Sequence, residues 1–239
     1  MICPKSNLGI SEENLKMASI GIIWVNEYHG RADNLYKNDD NARGFYNTLH
    51  GVRQFDYGND NAWDQHLEQA GVGSPARGSD RILADNVDIV YFSGHGTPNG
   101  PLFGVATHDD GIAKPTEMRL GDQQAEWIIF DACEVLQSSD RWHSVFRGLH
   151  FILGFSTVCT DVRDRGQKFA EYLNDGNWIL GSWIAACEET EGSDVRCAAL
   201  WAEDSRVGTN TYHDHWHGKG YVSPDPDSPD DFYHFSTPC

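Results

Sequence analysis

Apolar runs separated by polar, glycine-rich segments divide the chain into strand-like and helix-like stretches. Residues 20–25 (IGIIWV) are short, continuous and β-branched, the pattern of a strand buried on both faces. The same pattern predicts strands at 87–92 (VDIVYF), 127–130 (WIIF), 151–155 (FILGF) and 197–202 (CAALWA), the last in the chain, with a weaker one at 52–55. Helices are predicted at 41–49, with an N-cap at its start, and at 63–69, 167–173 and 178–187. In the last of these, apolar residues at 179, 180, 183, 184 and 187 share one helical face. Continuous apolar strands alternating with helices predict an α/β fold, a three-layer sandwich whose mostly parallel sheet is covered by helices on both faces. Residues 97–124 show no clear helix, and 102–106 are expected to form a small hairpin or flap. The stretch SPDPDSPDD (223–231) reads as an extended loop or tail. With 239 residues and no internal repeat, a single domain over 1–239 is the simplest organisation.

Two predicted strands end in reactive side chains. VDIVYF runs into Ser93-Gly94-His95-Gly96, and WIIF runs into Asp131-Ala132-Cys133-Glu134. Open parallel sheets bind ligands outside the carboxyl ends of their strands. Neighbouring strands would hold His95 and Cys133 roughly 5–10 Å apart. That spacing suits a cysteine nucleophile and a histidine general base acting on one carbonyl. Gly94 and Gly96 permit a tight turn and close approach of a substrate backbone. The Gly96 and Cys133 amides are candidate oxyanion donors, and Asp131 joins Gly94 and Gly96 as a candidate substrate-binding position. A helix starting after Cys133 would favour its thiolate. Cys159, also just beyond an apolar strand, is the nearest rival nucleophile.

An apolar strand ending in His-Gly followed by one ending in Ala-Cys resembles the caspase, legumain, gingipain and clostripain group of cysteine peptidases. The matching residues are IVYFSGHG and WIIFDAC. Asp-Ala-Cys-Glu is most similar to the Glu-Ala-Cys-Glu of legumains. It departs from the Gln-Ala-Cys-[RQG]-Gly of caspases, so cleavage after aspartate does not follow. The resemblance covers roughly the central third of the chain. It implies a caspase-like fold, a His95–Cys133 dyad and a peptide or protein substrate, cleaved through an acyl-thioester without metal or cofactor. The same intermediate permits a transpeptidase or ligase, and the fold permits a non-catalytic binding module.

The remaining features change the picture less. A net charge of −18 disfavours nucleic acid and anionic membranes and attracts cationic peptides. No run of eighteen apolar residues and no signal peptide is evident, so a cytoplasmic location is expected. The six cysteines (3, 133, 159, 187, 197 and 239) form no CxxC pair. Cys187 and Cys197 are expected as buried thiols, and Cys3 and Cys239 as free ones. His213, His215 and His217 alternate, which on one strand face could hold zinc and a metal-dependent hydrolase, although a polar loop explains them more simply. The Asp/Asn runs at 38–41 and 56–61 carry calcium-type oxygens, but serve equally as turns and caps.

Overall fold

The computed structural model describes residues 17–73 and 77–239; Cys3 lies outside them. The elements, in chain order, are β1 (Ser19–Trp24), α1 (Asn38–Thr48), β2 (Val52–Gly58), β3 (Ile89–Ser93), β4 (Gly96–Thr97), β5 (Gly100–Pro101), β6 (Trp127–Asp131), β7 (Phe151–Phe155), α2 (Arg165–Asn174), α3 (Ile179–Thr190), β8 (Arg196–Asp204), β9 (Thr209–Asn210) and β10 (Asp231–Pro238). The main sheet has the order β10-β8-β7-β6-β3-β1-β2, with β9 beside β8. Strands β2, β1, β3, β6 and β7 are parallel, β8 runs against β7, and β10 runs against β8. The fold is therefore α/β with a mostly parallel, mixed sheet.

Side-chain alternation along the strands divides the interior into two cores. Ile22, Ile89, Tyr91 and Ile129 pack with Phe45 of α1, Phe169 of α2 and Trp183 of α3. Ile23, Val90, Phe92 and Phe130 pack on the other face with Trp142 and Val145. There the cover is made of 3₁₀ turns, among them Asp64–His66 and Ser139–Val145, and loops in place of α-helices. The expected helix at 63–69 shortens to the first of these turns. The Asp64 carboxylate accepts the Gln65 and Gly111 amides, so local side-chain bonding competes with helix propagation.

Three other expectations are corrected. The proline- and aspartate-rich segment is a connector, because the chain after it returns to the sheet as β10, an edge strand whose Phe232 stacks on His143 with ring centroids 4.1 Å apart. The hairpin of the 97–124 region lies earlier than 102–106, as β4 and β5. α1 begins at Asn38 rather than with a cap at Asn41, which places Asn41 inside the helix, buried against the sheet. Among the described residues, no helix is long and apolar enough to cross a membrane.

Candidate active site

Strands β3 and β6 are parallel neighbours in register, with Ser93 opposite Asp131. The turns that follow them therefore leave the same edge of the sheet. The Gly94 amide donates to the Asp131 carbonyl at 3.2 Å and extends the pairing by one step. A side chain at Gly94 would meet the Tyr28 hydroxyl at 2.7 Å, and one at Gly96 would meet the Cys133 carbonyl at 2.4 Å. Both glycines are thus required by how tightly the two turns pack.

His95 and Cys133 line one cavity of about 240 Å³, together with Gly94, Asp131, Cys159 and Asp161. The Tyr28 ring tilts against the His95 ring at 4.6 Å, and the Tyr28 hydroxyl accepts the His95 amide at 2.6 Å. His95 Nε2 lies 2.8 Å from the Asp33 carbonyl. A carbonyl only accepts, so Nε2 carries the proton and Nδ1 is left as the basic nitrogen of the neutral ring. The His95 carbonyl accepts the Leu102 amide at 2.9 Å. Gly96 and Pro101 are consequently a non-hydrogen-bonded pair in the β4–β5 hairpin, which leaves the Gly96 amide uncommitted to it.

Cys133 is poised by the loop after β7. The Cys159 amide donates to Cys133 Sγ at 3.2 Å, and the Cys159 sulfur lies 3.5 Å away. Hydrogen bonding from the Cys159 thiol, opposed by burial and aided by its amide, lowers the Cys133 thiol to about 7. The same contact and burial push the Cys159 thiol well above its usual range. Of the two thiols, Cys133 is the one placed to ionise. No α-helix starts after Cys133; a turn follows, with Glu134 in the left-handed region (φ 59°) and its amide bonded to the Thr157 carbonyl at 3.0 Å. The thiolate is favoured by Cys159, not by a helix dipole.

Asp131 lines the cavity, and both of its carboxylate oxygens have protein partners. Its Oδ1 accepts from Arg165, and its Oδ2 accepts from Asn41 at 2.6 Å and Tyr91 at 2.7 Å. With both oxygens engaged, it braces the floor of the cavity. Arg165 is itself buried and also bonds Glu191, which in turn accepts the Thr160 amide at 2.7 Å. Sequence reasoning did not find Tyr28, Asn41, Arg165, Glu191 or Asp161. The available signal for Asp161 was its place just after FILGF, a third strand ending at the same sheet edge.

A family model for a domain of unknown function, DUF6345, matches residues 22–237. The chain belongs to the DUF6345 family. An uncharacterized protein of Archaeoglobus fulgidus is 26% identical, in an alignment covering 63% of this chain and 67% of the relative. Both His95 and Cys133 fall within the part of the chain that matches the DUF6345 family.

The other constellations of this DUF6345 domain lie elsewhere. His213, His215 and His217 sit in a 3₁₀ turn and loop, not on a strand face, and have separate partners. His213 packs edge-on against Trp178, His215 approaches the Tyr221 carbonyl at 3.2 Å, and His217 meets Glu126 at 3.1 Å. The 38–41 run forms the first turn of α1. Asn59 accepts the Asn26 and Glu27 amides, as a turn residue does.

Proposed function

We propose that this protein is a cysteine peptidase of caspase-like fold, with Cys133 as nucleophile and His95 as general base and acid. The observation that carries the reading is the meeting, in one cavity at the ends of two neighbouring parallel strands, of His95 and a Cys133 thiol lowered to about 7. In this reading the Cys133 thiol passes its proton to His95 Nδ1, and the thiolate attacks the scissile carbonyl carbon. The negative charge moves to the carbonyl oxygen, which in this reading the Gly96 and Cys133 amides receive. His95 Nδ1 delivers a proton to the departing amine, leaving an acyl-thioester on Cys133. Water, deprotonated by His95, then hydrolyses the thioester and frees the thiolate. Among the described residues no hydrogen bond joins the His95 ring to Cys133, so the thiol proton reaches Nδ1 by way of water.

Asp161 bears on specificity. Its Oδ2 accepts the Tyr36 amide at 3.0 Å, whereas its Oδ1 is buried in the cavity wall without a partner. An unpartnered carboxylate oxygen favours a cationic side chain, in keeping with the net charge of −18. The substrate is then a peptide or protein cleaved after lysine or arginine. The test is a peptide-library cleavage profile with Cys133→Ala as control. Cleavage after basic residues, lost in Cys133→Ala, supports the reading. Absence of cleavage across the library, or activity that survives Cys133→Ala, overturns it.

A further inference from the structure

Outside the lining of the cavity, three cysteines from distant parts of the sequence converge. Cys187 lies in the last turn of α3, Cys197 opens β8, and Cys239 follows β10. Their sulfurs all lie within 4.8 Å of one another, and all three are free thiols. The register explains the meeting. Thr237 pairs with Cys197, and the Cys239 amide donates to the Val195 carbonyl at 2.9 Å, which folds the chain over the start of β8. Cys187 and Cys197 are fully buried, while Cys239 is half-buried.

We propose that Cys187, Cys197 and Cys239 bind a divalent thiophilic cation of the zinc class. Zinc–sulfur bonds of about 2.3 Å in tetrahedral geometry imply sulfur–sulfur edges of about 3.8 Å, within reach of the present spacing. Soft thiolate ligands select such ions over calcium or magnesium. On binding, three S–H protons leave to solvent and three metal–sulfur bonds form, so the occupied site carries a net charge of −1. With Cys239 only half-buried, water would fill the fourth position. The bound ion would tie the edge strand β10 to α3, a structural role.

The test uses the full chain carrying Cys3→Ser, Cys133→Ser and Cys159→Ser, so that only these three thiols remain. The reduced protein is titrated with Cd²⁺ under argon, and thiolate-to-cadmium charge-transfer absorption is followed in the ultraviolet. Zn²⁺ affinity is measured by competition with a chromophoric chelator. The expected result is one saturable cadmium per chain with the intensity of three thiolates. Adding Cys239→Ser, a change at a half-buried position, should cut the intensity to two thiolates. It should weaken zinc by more than the roughly 10–100-fold typical of losing a supporting partner of a metal ligand. No saturable band, or a band and affinity that Cys239→Ser leaves unchanged, overturns the site.

Discussion

The Cys133 sulfur sits 3.5 Å from the sulfur of Cys159 and accepts the Cys159 backbone amide at 3.2 Å. The neighbour thus does two things: it stabilises a thiolate at Cys133, and it leaves a second thiol within reach of that thiolate. Under diamide or dilute peroxide the two thiols should lose two electrons and two protons to the oxidant and join as a disulfide. Mass spectrometry of unreduced peptides should find Cys133 linked to Cys159, and dithiothreitol should restore both. In Cys159→Ala, Cys133 should instead proceed to oxygenated forms under peroxide. Free Cys133 and Cys159 after full diamide treatment would contradict this.

Cys133 should also be the fastest thiol to alkylate. Because its thiol is lowered to about 7, its iodoacetamide rate should rise with pH and reach half its plateau near pH 7. Buried Cys187 and Cys197 should react far more slowly. Cys159→Ala should shift the half-point upward, since the hydrogen-bonding thiol is lost while the backbone amide remains. An unshifted profile would assign the lowering to another cause.

If the proposed chemistry holds, Cys133→Ala abolishes turnover with little change in stability. His95→Ala reduces kcat by about 10²–10⁴-fold. The double variant should be no slower than Cys133→Ala alone, because both groups serve one step. Asp161→Asn should lower kcat/KM for substrates with lysine or arginine at the cleaved position by about 10–100-fold, as expected for losing a bond to a charged group. It should affect neutral residues little. Equal loss on both substrate classes would remove Asp161 from specificity.

Asp131, Arg165 and Glu191 form a buried charge network under the cavity. Arg165→Met leaves two carboxylates without their cation, and the expected cost is about 3–5 kcal/mol in chemical denaturation. Arg165→Lys should rescue only in part, because one ammonium cannot span both partners as the guanidinium does.

His150 gives a pH signature on the far side of the sheet. Burial alone would lower it, but hydrogen bonds with Asp214 and Asp225 outweigh that and raise it from 6.5 to about 9. A base raised on folding stabilises fully below its unfolded value. That contribution, on the order of 3 kcal/mol, is lost as pH climbs from about 6.5 through 9. The stability gap between the wild type and His150→Gln should therefore shrink between pH 6 and pH 10 in urea titrations. A constant gap would mean that the ring does not hold its proton in the folded state.

The strands that position the cavity were readable because burial on both faces leaves continuous apolar runs; 151–155 coincides with β7, and His95 and Cys133 fall just beyond two others. The direction of β8 was not readable, since an apolar run buried between two strands looks alike in either orientation. β10 was missed because its face is largely exposed and its sequence, DFYHFSTP, follows a proline-rich connector. The supports of the site were hidden for a different reason. Asn41, Tyr91, Arg165 and Glu191 are far apart in sequence, and their value is a buried hydrogen-bond network that no local pattern announces. The partners of Asp131 were not legible either, because a carboxylate next to a cysteine looks available until the distant Asn41, Tyr91 and Arg165 are known.

Strand β10 runs in the same direction as β3 and β6, because the reversals at β8 and β10 cancel. Its last residues therefore return to the rim of the sheet where Gly94 and Ala132 emerge, not to the opposite rim. A fluorophore or fusion partner attached beyond Cys239 would ride on that rim. There it would share space with any long polypeptide lying across the strand ends, and a bulky tag could hinder large substrates while leaving short peptides untouched.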